Sequence, residues 1–139
     1  MKRAQGAIVL AVAVGGVVGA LGRYGISLAL PATTHQFPWA TWIINITGAA
    51  ALGFLLIVIQ EQFSRARLAR PLIGTGVLGA YTTFSTFMVE AVQLMRSGRP
   101  LDAALYLLGT ILGGLAAVWV GITAARLLLR VERWLQESL

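Results

Sequence analysis

The residues of this chain that are best suited to chemistry stand in one short run, TTFSTF at residues 82–87. Two phenyl rings, Phe84 and Phe87, alternate there with four hydroxyl side chains. A phenyl ring is electron-poor at its edge, and a hydroxyl hydrogen also carries positive charge. Such groups could replace part of the water shell around a small anion and still release it, as conduction requires. The run therefore predicts contact with a small anion, and alone it leaves the selectivity open.

Two other polar side chains stand in apolar surroundings. Thr41, Asn45 and Gly48 share one helical face by their spacing. A buried asparagine needs partners for its amide, so Asn45 either bonds a neighbouring helix or presents its amide to an anion. Glu90 follows Phe87 by three residues. An acid within a membrane is a functional candidate, but a structural hydrogen bond explains Glu90 equally well, and its role stays open.

Three further positions carry weaker signals. Arg23 lies near the end of an apolar segment, where it is either an interfacial anchor or a positive charge that draws anions inward. Tyr106 and Thr110 begin a mildly polar stripe that Gly114 continues at the same spacing of four residues. The single histidine, His35, has no acidic or cysteine neighbour and is not expected to act as a ligand. Without a phosphate-binding loop or a Ser/His/Asp set, an enzyme is not expected.

Four apolar segments must position these side chains. The chain is 58% hydrophobic and only 12% charged, whereas soluble proteins average about 25% charged residues. We predict a single all-α membrane domain over residues 1–139, with spans at about 7–30, 39–59, 71–95 and 101–129. The third span contains glycines and then the clustered hydroxyls. It should be broken near its middle, and such a break persists only beside protein or a water-filled cavity.

Glycine spacing predicts how the spans pack. Gly15 and Gly19 stand four residues apart in the first span, as do Gly109 and Gly113 in the fourth. Small residues at this spacing let helices approach closely. Four spans are too few to enclose much of a pathway, so an oligomer is expected. If two copies meet at the broken span in opposite orientation, carbonyl oxygens from both could hold an alkali cation.

Basic residues flank the apolar segments, so the net charge of +6 indicates membrane topology rather than nucleic-acid binding. One side of the membrane holds both termini and most of the basic residues, namely Lys2, Arg3, Arg65, Arg67, Arg70, Arg126, Arg130 and Arg133. The other side holds Arg96 and Arg99, together with Arg23 if it is counted. This bias predicts cytoplasmic termini. The absence of cysteine excludes disulfides.

The run at residues 79–87, together with Glu90, resembles the signature of the Fluc (CrcB) fluoride channels. The GxxGALGRY stretch that ends at Tyr24 and the pair Asn45 and Gly48 are also similar, and the resemblance covers roughly residues 15–128. It implies a passive fluoride-selective channel of the cell's inner membrane. In that family two subunits pack antiparallel, pores form at their interface, and cytoplasmic fluoride leaves through them.

The resemblance also implies roles for individual residues. The side chains that it places along the fluoride pore are Asn45, Phe84, Ser85, Thr86, Phe87, Tyr106 and Thr110. It places Arg23 in a vestibule, and it assigns the backbone carbonyls of Gly79 and Thr82 to a structural sodium ion shared by both subunits. Gly114 departs from the pattern, since some members carry a hydroxyl there.

The arginine bias fits poorly with a chain that inserts in both orientations. We favour a homodimer with dual topology, and pairing with an oppositely oriented paralogue is the alternative. Two other classes of membrane protein are alternatives. A small multidrug transporter needs a carboxylate in its first span, and this chain has none there. A non-transporting assembly subunit of a larger membrane complex would also tolerate glycine-rich helices.

Overall fold

The computed structural model of the chain describes residues 2–31, 36–62 and 66–137, without the side chains of residues 2, 3 and 137. His35 and Arg65 lie outside these ranges. The described residues form helices and no strand. The helices are α1 (Lys2–Ala29), α2 (Trp39–Gln62), α3 (the π-helical turns Arg70–Leu78 and the α-helical turn Gly79–Tyr81), α4 (Ser85–Arg96) and α5 (Pro100–Glu137).

The predicted all-α membrane architecture is confirmed. Four helical segments are long and apolar enough to cross a bilayer, namely Ala4–Ala29, Trp39–Gln62, Arg70–Arg96 and Pro100–Gln136. The last segment extends beyond the predicted end of its span, because α5 continues without interruption through the basic residues near the end of the chain. There Gln62 Nε2 donates to Glu132 Oε2 at 2.6 Å, which ties the end of α2 to α5.

The third span is broken where predicted. The α-helical turn of α3 ends at Tyr81, and Thr82 adopts an extended backbone with ψ of 161°. Helix resumes at Ser85, and the hydroxyl oxygen of Thr83 accepts the Thr86 N–H at 3.2 Å, which satisfies one N–H of the first turn of α4. The chain therefore leaves the helical path for three residues in the middle of a membrane span.

The first and third spans run parallel and touch through backbone atoms. A methyl group added at Gly15 would collide with the carbonyl oxygen of Leu72, and one added at Gly19 with that of Val77. Glycine removes this obstacle, so the two backbones can approach at both positions. The predicted close packing of Gly15 and Gly19 is confirmed, and α1 supports the turns that lead into the break.

The second and fifth helices are also parallel, but their closest approach differs from the predicted one. A methyl group added at Gly109 would lie 3.9 Å from Trp42 Nε1, and one added at Gly113 would lie 3.0 Å from the side chain of Ile46. Backbones meet instead at Gly53 and Gly121, where an added methyl group would collide with carbonyl oxygens of the facing helix. Spacing identifies small residues on a helix, whereas the crossing point of two helices decides which of them carry the contact.

We expect Gly121→Ala to lower the free energy of unfolding by about 1–3 kcal/mol, because the added methyl group would push α2 and α5 apart. Gly109→Ala is the matched control, since it makes the same change on the same helix where the added methyl group would only touch the Trp42 side chain at an ordinary contact distance of 3.9 Å. Thermal unfolding of the purified proteins in detergent measures the difference. Equal midpoints for the two variants would contradict the assignment of Gly121 to the helix crossing.

Candidate functional site

The break borders a groove of about 420 Å³ that lies between the broken span and the helices α2 and α5. Six of the ten residues to which the resemblance assigns a role line this groove, namely Asn45, Gly79, Thr82, Phe84, Phe87 and Thr110. They come from three separate spans. The structure therefore brings the asparagine, both phenylalanines, one track hydroxyl and both residues of the suggested cation site to a single place.

Asn45 binds the broken backbone directly. Its Nδ2 donates to the Thr83 carbonyl at 2.9 Å, and the Thr83 N–H donates to Asn45 Oδ1 at 3.0 Å. In a continuous α-helix that N–H would be donated to the carbonyl of Gly79. Asn45 thus takes the place of a helical partner, so the structural alternative raised above is realised. Its second amide hydrogen finds no acceptor among the residues that the structure describes.

The two phenylalanines have unlike surroundings. Phe87 is only 4% exposed and packs edge-on against Tyr106, with ring centroids 5.0 Å apart. Phe84 is 74% exposed, although its ring centroid lies 6.0 Å from that of Phe87. Phe87 is therefore held by the core between α4 and α5, whereas Phe84 projects from the subunit beside the groove.

Ser85 and Thr86 lie at the start of α4 and do not line the groove. Both interact with Thr83, whose hydroxyl lies 3.4 Å from Ser85 Oγ and donates to Thr86 Oγ1 at 3.1 Å. The three hydroxyls form a cluster at the positive end of the α4 dipole. These hydroxyls are neighbours of Phe84 in the sequence, and the Thr83 hydroxyl also accepts the Thr86 N–H in the first turn of α4.

The two residues of the predicted polar track, Tyr106 and Thr110, lie in different surroundings. Thr110 lines the groove, and its hydroxyl donates to the Tyr106 carbonyl at 2.7 Å. Tyr106 is fully buried behind the Phe87 ring and is not among the residues that line the groove. Its hydroxyl donates to Glu90 Oε2 at 2.7 Å. Tyr106 therefore orients other groups in this subunit rather than facing the groove.

Glu90 has two partners that sequence reasoning missed. Thr41 Oγ1 donates to its Oε1 at 2.9 Å, while Tyr106 occupies the other oxygen. The carboxylate thus joins α2, α4 and α5 inside the membrane-spanning region. The helical spacing placed Thr41 on the Asn45 face, but nothing in the sequence relates Thr41 to an acid 49 residues away. This arrangement gives Glu90 a structural role.

We expect Glu90→Gln to lower the free energy of unfolding by about 1 kcal/mol. A glutamine amide offers one acceptor oxygen, so either Thr41 or Tyr106 would lose its acceptor. Glu61→Gln is a control for removing a carboxylate, because Glu61 pairs with Arg133 only at an exposed end. Thermal unfolding would contradict the bridge if Glu90→Gln melted at the temperature of the parent protein.

Arg23 stands apart from these residues. It is partly buried on α1 and does not line the groove. It makes no ion pair with any residue that the structure describes. A methyl group added at the neighbouring Gly22 would lie 3.6 Å from the ring of Tyr81, so Arg23 is one residue from the place where α1 passes the end of α3.

The chain is similar in sequence to known proteins over most of its length. The family model described as CrcB-like protein, Camphor Resistance (CrcB), matches residues 10–122. A protein of Nocardia farcinica named fluoride-specific ion channel FluC 2 is 47% identical over 120 residues, which cover 86% of each chain. A protein of Streptomyces coelicolor named fluoride-specific ion channel FluC 1 is 44% identical over 134 residues, covering 96% of this chain and 85% of the relative. The FluC protein of Chloroflexus aurantiacus is 40% identical over 119 residues, covering 85% and 94%.

Proposed function

This chain belongs to the CrcB-like protein family, and we propose that it is a passive fluoride-selective channel that exports cytoplasmic fluoride across the inner membrane. It is a channel and not an enzyme. The relatives named as fluoride-specific ion channels match it over most of its length.

The observation that supports this function most strongly is the meeting of Asn45, Phe84, Phe87 and Thr110 at one groove beside a broken helix. Each group can offer a weakly positive surface to an anion: two ring edges, an amide hydrogen and a hydroxyl. Among the residues that the structure describes, no charged side chain lines the groove. An anion would therefore be solvated without being trapped.

The hydrogen bonds suggest how the individual donors act. Asn45 can offer its second amide hydrogen while it continues to hold Thr83. Thr110 must turn its hydroxyl hydrogen away from the Tyr106 carbonyl before it can donate a hydrogen bond to an anion. Ser85 and Thr86 offer hydroxyls at the start of α4, close to Phe84. Arg23 would add positive charge nearer the membrane surface.

A second subunit would complete the site. The groove is open on one side, and Phe84 projects from the subunit beside it. We propose an antiparallel dimer in which the partner covers this face and the pores lie at the interface. We favour two identical chains. The alternative partner is a paralogue of opposite topology. Four arginines, Arg67, Arg70, Arg126 and Arg130, lie on the same side of the membrane as the two termini, and such a bias favours a single orientation of this chain.

A sodium ion fits the oxygens that the break presents. Gly79 and Thr82 both line the groove. The Thr83 N–H, which would bond the Gly79 carbonyl in a continuous helix, is donated to Asn45 instead. Neutral carbonyl oxygens suit an alkali cation. When bound, the ion would supply positive charge and a link between the broken helices of two subunits. We propose the carbonyls of Gly79 and Thr82 as its ligands.

Growth of a bacterial strain whose own fluoride exporters are deleted tests the proposed role. Expression of this chain should permit growth at fluoride concentrations that stop the empty-vector strain. The Phe84→Ile variant is the matched control, since it alters one groove residue in an otherwise identical protein. Growth no better than empty vector, with the protein present in the membrane fraction, would contradict the proposal.

A further inference from the structure

A short segment of α2, residues 45–48, contacts the break residue by residue. Asn45 holds Thr83, as described above. Gly48 lies against the methyl group of Thr82, where any larger side chain would collide. Thr47 forms a hydrogen bond with the hydroxyl of Tyr81, with the two oxygens 2.8 Å apart. The segment therefore holds the chain on both sides of the point where the helix breaks.

The direction of the Thr47–Tyr81 hydrogen bond follows from counting hydrogens. The Thr47 hydroxyl has one hydrogen, and it is donated to the Ile43 carbonyl at 2.6 Å. Tyr81 must then be the donor to Thr47 Oγ1. Both hydroxyls are accessible in the single subunit and belong to helices that are long and apolar enough to cross a bilayer. In the hydrocarbon region of a bilayer, a polar group that loses its partner finds no water to replace it.

The ring of Tyr81 also packs closely against neighbouring helices. It stands between two glycines of different helices: a methyl group at Gly22 would lie 3.6 Å from the ring, and one at Gly48 would lie 3.2 Å from it. Tyr81 is the last residue of α3, directly before the extended Thr82. Its ring and hydroxyl thus connect the end of α3 with both α1 and α2.

We propose that Tyr81, through Thr47, is a positioning residue for the central cation. The inference rests on the proposed function, in which the carbonyls of Gly79 and Thr82 are the ligands. These two residues flank Tyr81 in the chain, so movement of the Tyr81 end of α3 shifts both carbonyls. Loss of the hydrogen bond therefore lowers the affinity of the site for sodium and leaves the groove side chains in place.

Sodium-dependent thermal unfolding of the purified protein in detergent tests this inference without measuring transport. A ligand that binds only the folded state raises its stability as the ligand concentration rises. Sodium chloride would replace N-methylglucamine chloride at constant ionic strength. We expect Tyr81→Phe and Thr47→Val each to need roughly three- to tenfold more sodium for the same stabilisation, the effect of one net hydrogen bond. Tyr24→Phe removes the hydroxyl of an exposed tyrosine and should behave as the parent.

The double variant shows whether the two residues act through one bond. Tyr81→Phe combined with Thr47→Val should need no more sodium than either single variant, because both remove the same interaction. Additive effects, or a Tyr81→Phe response equal to that of the parent, would overturn the inference. A parent protein that sodium does not stabilise would overturn it too. Fluoride efflux from the same preparation would then show separately whether the channel function stands.

Discussion

Replacing Phe84 by isoleucine is expected to reduce fluoride flux at least about tenfold, which corresponds to roughly 1.4 kcal/mol in the free energy of the permeating ion. Isoleucine keeps an apolar side chain of similar bulk but has no electropositive ring edge. Because Phe84 is 74% exposed in the subunit, its replacement removes little packing within the fold. Efflux from vesicles containing the purified variant, recorded with a fluoride electrode, measures the effect.

The neighbouring ring gives a second version of this test. Phe87→Ile should also slow fluoride, but it will reduce stability as well, because Phe87 packs against the buried Tyr106. Phe54→Ile is the control, since it makes the same change on α2 at a residue that does not line the groove. Fluoride flux at the parent rate in both groove variants would contradict the assignment of the two phenylalanines to the pore.

The second large effect is expected at Asn45. Asn45→Ala should lower the free energy of unfolding by about 1–3 kcal/mol, because the N–H and the carbonyl of Thr83 both lose their part-buried partner. Fluoride flux should fall at least about tenfold, since the same change frees the Thr83 backbone at the break and removes an amide hydrogen from the groove. Thermal unfolding and electrode-recorded efflux measure the two effects on one preparation.

Gln62→Ala is the matched control for this change. It also removes a side-chain amide from α2 and one hydrogen bond, to Glu132, but at an exposed end of the helix where water can substitute. We expect this control to unfold and to conduct like the parent protein. An Asn45→Ala variant that matched it in both measurements would show that Asn45 supports neither the break nor the pathway.

Much of the fold could be predicted because bilayer dimensions and composition constrain it strongly. Apolar length located the spans, and the clustered hydroxyls after Gly79 located the break. Gly15 and Gly19 marked a true backbone contact. The π-helical turns Arg70–Leu78 were not predicted, because glycine content indicates a weak helix without deciding which carbonyl each N–H will bond. Gly121 was not predicted as a contact because the spacing of glycines along one helix does not show where two helices cross.

At the candidate site the residue types were easier to predict than their partners. Asn45 was singled out as a buried amide, but its partner Thr83 lies 38 residues away. Glu90 was left open because Thr41 and Tyr106 belong to two other helices. The resemblance grouped Tyr106 with the pore residues, whereas the structure places it behind Phe87. Contacts across helices depend on helix rotation, which a single sequence specifies only weakly.

The most direct test of the central claim is ion efflux from vesicles that contain this chain alone and are loaded with fluoride and chloride at equal concentration. A potassium ionophore would balance the charge, and electrodes would record both anions. We predict rapid release of fluoride while chloride stays inside. Retention of fluoride, or release of both anions at similar rates, would contradict a fluoride-selective pathway built around the broken helix.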